Sequence, residues 1–464
     1  MITVRESRIV TYLMKHRSSR NLEIGERSSR RSSLAGLPIA RPWILITALA
    51  FLPVCNLAIV RDAKAGFASR FSLSLGEEYS DNIFFEQNKQ HDFVTTIKPT
   101  FSILYAPPGQ TTPIFSADLT PEGQIFARHS EDSNFGKNVT FNTEYIHHFS
   151  PLLTFYLRDT LQYLGPTRSG SSGFEKSSIQ PRPGGGTGGP PVLHGFGDVV
   201  SNENEVRNQI SARGAYTYSP NISFGGDYAF AHTSYLDQGG SDVWHRVGAR
   251  GVYRWRDEHN LHFGYGVDII KTRNGDNNIV HNIDIGDDYF STFKINLDPT
   301  LTVLASTGIG IGTGSGGARM ANRFNIGVTK LWQTATLTVG VNKGITPSLG
   351  VAGVSDTTSF VTNFNIRFTE LISAYVNSDF SLYDTETGNF KTFTAGTGIR
   401  YRILSWLSSE LRYAHRWQDD AGSAATSSTF VQRGRVNSNS IALTFTADFD
   451  VWPNTGFARG PVLP

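Results

Sequence analysis

The sequence predicts an all-β protein, a transmembrane antiparallel β-barrel, and three observations carry that reading. Its segments alternate strictly between apolar and polar positions, its connections alternate between short and long, and an exportable N-terminal leader precedes them. The clearest strand is the last, in which Ile441, Leu443, Phe445, Ala447, Phe449 and Val451 alternate with Ala442, Thr444, Thr446, Asp448 and Asp450. A strand with one apolar and one wet face suits lipid on one side and a hydrated lumen on the other. Leu301, Val303, Ala305, Thr307, Ile309 and Ile311 repeat the pattern. So does the segment from Arg246, with Val247, Ala249, Gly251, Tyr253 and Trp255 on one face and Arg246, Gly248, Arg250, Val252 and Arg254 on the other. In a soluble sandwich the apolar face would be covered by a second sheet. Here the opposite face is rich in Gly, Ser, Thr, Asn, Arg and Asp, not in the lysines of an ordinary solvent layer.

The N-terminal 65 residues read as a leader. Arg20, Arg30, Arg31 and Arg41 precede the apolar stretch from Pro42 to Val60, and Ala63-Lys64-Ala65 follows it. Basic region, apolar core and small-residue site in that order describe a secretory signal peptide, with cleavage expected near Ala65 and Met14 as an alternative start. Pro42, Pro53 and Asn56 argue against a long uninterrupted membrane helix. With 46 glycines and 39% hydrophobic residues, the chain has too little continuous apolar sequence for a helical membrane protein. The single cysteine, Cys55, lies inside the leader, so disulfides, thiolate catalysis and cysteine-bound metals are excluded from an exported product. A net charge of +2, spread along the chain, excludes the concentrated basic footprint of a nucleic-acid binder.

Residues 66–464 read as one barrel domain. Short connections fall at Ala106-Pro107-Pro108-Gly109, Phe149-Ser150-Pro151, Tyr218 to Asn221, Asp257 to Asn260, Leu297-Asp298-Pro299, Lys330 to Trp332, Thr369 to Leu371 and Leu404 to Trp406. Many carry Pro, Asn or Asp, which fix φ or cap the turn locally. Between them lie longer polar connections, as when one rim has periplasmic turns and the other extracellular loops. The count is about 18 strands, with about 16 if one register is misread. An even number places both termini in the periplasm. The longest connection, 165–201, contains Pro181-Arg182-Pro183-Gly184-Gly185-Gly186 and Gly188-Gly189-Pro190-Pro191. Such a run forms no core, and either covers the surface or folds into the lumen as a constriction.

Alternation also assigns an interior. The expected pore-lining bases are Arg158, Arg207, Arg213, Arg246, Arg250, Arg254, Arg367, Arg400, Arg412 and Arg416, and the acids are Glu144, Asp268, Glu410, Asp448 and Asp450. Arginine-rich walls would attract anions through their summed field; equally, the arginines could pair with the acids and hold the interior together. Tyr145, Tyr163, Tyr218, Tyr253, Trp255, Tyr265, Tyr401, Trp406, Tyr413 and Trp417 are the expected headgroup-level aromatics. No catalytic residues, metal ligands or cofactor motif stand out, so an enzyme is not expected. His147-His148, His259 and His262 lie beside predicted turns and read as rim residues.

The segment Leu73-Ser74-Leu75-Gly76-Glu77-Glu78-Tyr79-Ser80-Asp81-Asn82-Ile83-Phe84, followed by Asp92-Phe93-Val94-Thr95-Thr96-Ile97-Lys98-Pro99, resembles the opening of outer-membrane β-barrel porins of the "beta-barrel porin 2" type. It is also similar to barrels found with exopolysaccharide and exosortase systems. The resemblance is specific over 73–99 and extends beyond it only in rhythm and size. It implies a Gram-negative outer-membrane location and does not settle a cargo; transport would be passive, because the sequence shows no nucleotide site or energy-coupling domain. One departure is the C-terminus, where many barrels end on an aromatic; here Trp452-Pro453-Asn454-Thr455-Gly456-Phe457 follow Phe449. Either the assembly signal is internal at Phe449 or the tail tucks into the lumen.

Two functions remain in view. One is a passive porin or export channel for hydrophilic, anionic solutes or exopolysaccharide. The other is a non-conducting barrel that scaffolds a secreted polymer, an adhesin or an electron-transfer partner. The expected partners are outer-membrane lipid and lipopolysaccharide, the barrel assembly machinery, and polysaccharide or periplasmic export components, with no nucleic acid and no cofactor.

Overall fold

The structure, a computed structural model, describes residues 66–85, 87–107, 114–165, 204–237, 239–273, 277–290, 300–314, 317–347, 354–385, 388–420 and 435–450. The leader, all but the first residue of the 165–201 connection, the Leu297-Asp298-Pro299 turn and the tail after Asp450 lie outside the described residues. Eighteen strands follow one another: β1 Gly66–Ser80, β2 Asp92–Ala106, β3 Phe115–Phe126, β4 Asn134–Ser150, β5 Leu153–Leu164, β6 Glu205–Ser219, β7 Ile222–Tyr235, β8 Ser241–Arg256 and β9 His259–Lys271. They continue as β10 Asn277–Phe290, β11 Leu301–Gly314, β12 Gly317–Leu331, β13 Ala335–Pro347, β14 Val354–Arg367, β15 Ile372–Thr385, β16 Gly388–Leu404, β17 Leu407–Asp420 and β18 Arg435–Asp450. Among the described residues no helix is long and apolar enough to cross a membrane. Each strand pairs antiparallel with its chain neighbours, and β18 returns to β1 from Arg70↔Asp450 to Ser80↔Ser440. The sheet is therefore closed and has no edge, the condition a strand must meet to cross lipid.

The short turns share one rim with the start of β1 and the end of β18. Two of them are capped by a hydroxyl: Ser150 Oγ accepts from the N–H groups of Leu152 and Leu153 at 3.2 and 3.1 Å, and Thr369 Oγ1 from those of Leu371 and Ile372 at 3.1 and 3.0 Å. Register shifts at His148/Ser150, Thr217/Ser219, Arg254/Arg256 and Arg402/Leu404 all fall beside these turns. A bulge there tightens the reversal and re-aims the following side chains. Trp255 sits inside one such shift, so its place on the outer face is not fixed by alternation alone.

Burial separates the two faces. Val247 and Phe263 are each 58% exposed and Ile399 53%, whereas Trp244 is 2% and Ile270 0% exposed. Side chains that bridge over an intervening strand confirm which face is concave. Arg250 of β8 reaches Asp288 of β10, Tyr375 of β15 reaches Glu410 of β17, and Arg412 of β17 reaches Glu78 of β1. Side chains converge only inside a barrel, so this charged face looks into the lumen. Near the short-turn rim the outer face carries packed aromatics: Phe71 lies 5.0 Å from Phe101, and Phe449 stacks on Trp406 at 5.8 Å.

Candidate functional site: the lumen wall

The lumen face follows from the pairing register, because residues paired across an antiparallel ladder point to the same side. Tyr228↔Val247 and Val247↔Val267 lie on the outside, so Asp227, Arg246, Arg250, Asp268, Asp284 and Asp288 face inward. The same rule puts Glu144, Arg158, Arg207, Arg213, Arg254, Arg367, Arg400, Glu410, Arg412, Arg416 and Asp448 on the inner face. Asp450 is placed by its backbone pairing with Arg70.

The wall from β7 to β13 brings several of these together around an apolar anchor. Ala229, Ala231, Trp244, Ile270, Val280 and Ile345 form one buried cluster on the inner side. Trp244 Nε1 donates to Asp268 Oδ1 at 3.1 Å, and Asn282 Nδ2 donates to Asp268 Oδ2 at 2.6 Å. Arg246 lies 3.7 Å from Asp227, and Arg250 donates to Asp288 at 3.1 Å. His262 stands between Asp288 at 3.5 Å and Asp284 at 3.9 Å and is buried. The sequence reading placed this histidine at a rim; alternation along β9, with Leu261, Phe263 and Tyr265 outside, turns it inward instead. Its neighbour in that reading, His259, does lie at the rim, 2.5 Å from Asp287 on the outer face.

Glycine makes the packing possible. A Cβ at Gly264 would stand 2.7 Å from the Asp284 carboxylate oxygens, so only glycine lets that side chain lie flat on the wall. Buried polar atoms without a hydrogen-bond partner remain here, among them Arg246 Nε, Arg250 Nε, His262 Nδ1 and Asn282 Oδ1.

The opposite wall carries a second network. Glu410 accepts from Tyr375 Oη at 2.7 Å and from Arg400 Nη2 at 2.8 Å, and Arg412 lies 3.6 Å from Glu78. Arg416 lies over the Phe85 ring at 5.5 Å. Between the walls, Arg158 lies 3.6 Å from Glu144, and Arg207 donates to Glu205 at 3.1 Å. Arg254 and Arg367 sit exposed at the short-turn rim, with no carboxylate in ion-pair reach among the described residues.

Sequence reasoning missed Glu78, Glu205, Asp227, Asp284, Asp288 and Arg323 as inward residues. The signal was present: Phe224, Gly226, Tyr228 and Phe230 alternate around Asp227, and Ile283 and Ile285 flank Asp284. With them included, the inner face is mixed in charge, not arginine-rich.

A closed barrel with an apolar outer face and a charged, hydrogen-bonded inner face is built to span a bacterial outer membrane. The protein is an outer-membrane β-barrel. Comparison with solved structures finds distant similarity to outer-membrane proteins, an anion-selective porin among them. OccK2 (OpdF) of Pseudomonas aeruginosa, solved with glucuronate, is 8% identical, with 83% of this chain and 98% of that chain covered and a TM-score of 0.44. OccAB3 of Acinetobacter baumannii is 11% identical over 82% and 99% of the two chains, with a TM-score of 0.41. An anion-selective porin from Comamonas acidovorans is 13% identical over 83% and 100%, with a TM-score of 0.37. No protein-family model and no curated protein matches the sequence. The barrel assignment rests on closure and on the two faces, not on these distant likenesses.

Proposed function

We propose that the barrel is a passive channel for small hydrophilic solutes, with a preference for anions. The observation that carries this reading is a closed ring of 18 strands with charged and hydroxyl side chains on its concave face. Barrels of 16 to 18 strands commonly enclose an aqueous path. Anion preference is favoured by Arg254 and Arg367, which stand exposed at the short-turn rim with no ion-pair partner among the described residues. The mid-wall arginines contribute less, because Arg246, Arg250, Arg400 and Arg412 are each matched by a carboxylate. The resemblance of residues 73–99 to barrels of exopolysaccharide systems makes an acidic polysaccharide chain a second cargo of the same chemistry.

Single-channel recording of the purified mature chain in planar bilayers, with reversal potentials under a salt gradient, tests the proposal. Stable conductance steps with chloride more permeant than potassium are expected. Folded protein that conducts nothing would overturn the channel reading in favour of a scaffolding barrel. Cation preference would overturn the anionic part alone.

A further inference from the structure

The outer face of β7 to β10 differs from the rest of the outer surface near the loop rim. His245 lies four positions in from Ser241 at the start of β8, and His281 four in from Asn277 at the start of β10. Each is held by a tyrosine on the preceding strand: Tyr228 Oη lies 3.1 Å from His245 Nδ1, and Tyr265 Oη 2.9 Å from His281 Nδ1. His232, three positions below the end of β7, and Lys271, the last residue of β9, complete the group on the same face. At a strand rise of about 3.3 Å and a tilt of about 40°, four residues correspond to a depth of about 10 Å, the headgroup layer of the outer leaflet.

What sets this patch apart is its charge. Along the outward positions of β6 to β9, and of β10 as far as Ile285, no described residue is Asp or Glu. A described loop carboxylate nearby, Asp237, is occupied by the backbone and side-chain N–H groups of Asn204 at 2.8 and 2.9 Å. Elsewhere on the same rim, outward cations have acids beside them. Lys343 lies 3.6 Å from Asp356, and Lys391 and Arg435 both pair in register with Asp419. Lys271 instead pairs in register with Val243 and Asn277 and has no ion-pair partner among the described residues. Further from the rim than His245 and His281 on the same strands, exposed Val247 and Ile283 present branched apolar surface.

We propose that this face of β7 to β10 is a binding site for a phosphorylated glycolipid of the outer leaflet. The phosphate lies against Lys271, His245 and His281, and the acyl chains lie along Val247 and Ile283. Three imidazoles and an ammonium offer donors to a phosphate, with no outward carboxylate among the described residues of these strands down to Ile285 to repel it. The tyrosines fix the rings through Nδ1, and that leaves each Nε2 for the ligand. Lipid binding at this outer surface does not depend on whether the lumen conducts.

The test is native mass spectrometry of the full barrel in detergent with bis-phosphorylated lipid A, with the same lipid dephosphorylated, and with inorganic phosphate as competitor. The phosphorylated lipid is expected to bind about tenfold more tightly than the dephosphorylated one, and His245→Gln/Lys271→Gln/His281→Gln to abolish that difference. Lys271→Gln alone should reduce it, while Lys343→Gln, a cation with its own carboxylate, should leave it unchanged. Heat-modifiable electrophoretic mobility establishes that each variant is folded. Equal binding of the two lipids would overturn the proposal, as would a triple variant that keeps the preference. Displacement of the lipid by millimolar inorganic phosphate would reassign the patch to free phosphate and overturn the lipid assignment.

Discussion

Arg250 on β8 spans β9 to donate to Asp288 on β10 at 3.1 Å, and the same carboxylate lies 3.5 Å from His262 on the strand between them. Three strands are thereby tied together across the lumen side by one acid. Asp288 is buried, so removing Arg250 leaves its charge facing only a histidine. Arg250→Ala is expected to cost about 3 kcal/mol, and the exchange Arg250→Asp with Asp288→Arg to recover part of that loss. Urea unfolding of the barrel in lipid vesicles, run as a double-mutant cycle, measures both. A cycle with no coupling would show that the contact contributes nothing.

Two glycines on the sheet have opposite surroundings. A Cβ at Gly308 would overlap the carbonyl oxygen of Ile283 and stand 2.8 Å from the Cα of Asp284, so backbone would have to move. A Cβ at Gly214 would meet nothing within 4 Å. Gly308→Ala is therefore expected to destabilise by about 2 kcal/mol through overpacking. Gly214→Ala should be neutral or stabilising by about 0.5 kcal/mol, because the unfolded chain loses freedom. The same unfolding assay separates them.

Much of this architecture is legible in the sequence because a barrel strand has period two and needs no partner to show it. The alternation of Ile441 to Asp450 and the turns at Ser150, Thr369 and Ser405 suffice to lay out the sheet. The site is less legible. Arg250 can be assigned inward from its own strand, but its partner lies 38 positions away on a strand that β9 separates from β8. That pairing depends on register, and a slip of one residue reverses every side chain. Bulges at Arg254/Arg256 and Arg402/Leu404 add such slips where the pattern is already short. The illegibility of His262 has a related cause: it lies three positions from the His259 end of β9, where nearness to a turn suggests a rim residue and only the parity of the strand turns it inward.

The assignment of faces itself has a direct test at two adjacent residues. Leu443 points outward and is 43% exposed, whereas Thr444 pairs with Gly76 and Glu410 on the inner face. Arginine on the lipid face near the bilayer midplane costs about 2–4 kcal/mol, and inside a hydrated lumen far less. Leu443→Arg should therefore lower stability by about 3 kcal/mol, while Thr444→Arg, placed beside Glu410, should change it by less than about 1 kcal/mol. The reverse order in vesicle unfolding would mean that the faces are exchanged.

Asp81, just past the end of β1, provides a pH-sensitive clasp at the loop rim. Its carboxylate accepts from the Asn439 backbone N–H at 2.6 Å, from Asn439 Nδ2 at 2.9 Å and from Lys89 Nζ at 2.9 Å. Partial burial alone would raise its pKa, but these donors outweigh burial and hold it below the ordinary carboxylate value of 3.8. A depressed folded-state pKa stabilises the clasp fully above the unfolded value and is lost as pH falls through the folded one. The protection factor of the Asn439 amide, its exchange corrected for the intrinsic pH dependence, should therefore stay flat from neutral pH down to about 5 and fall below about 4. Asp81→Asn, which cannot ionise, should exchange faster at neutral pH and show no such step. A wild-type step near pH 6 would instead show that the clasp does not follow the Asp81 carboxylate.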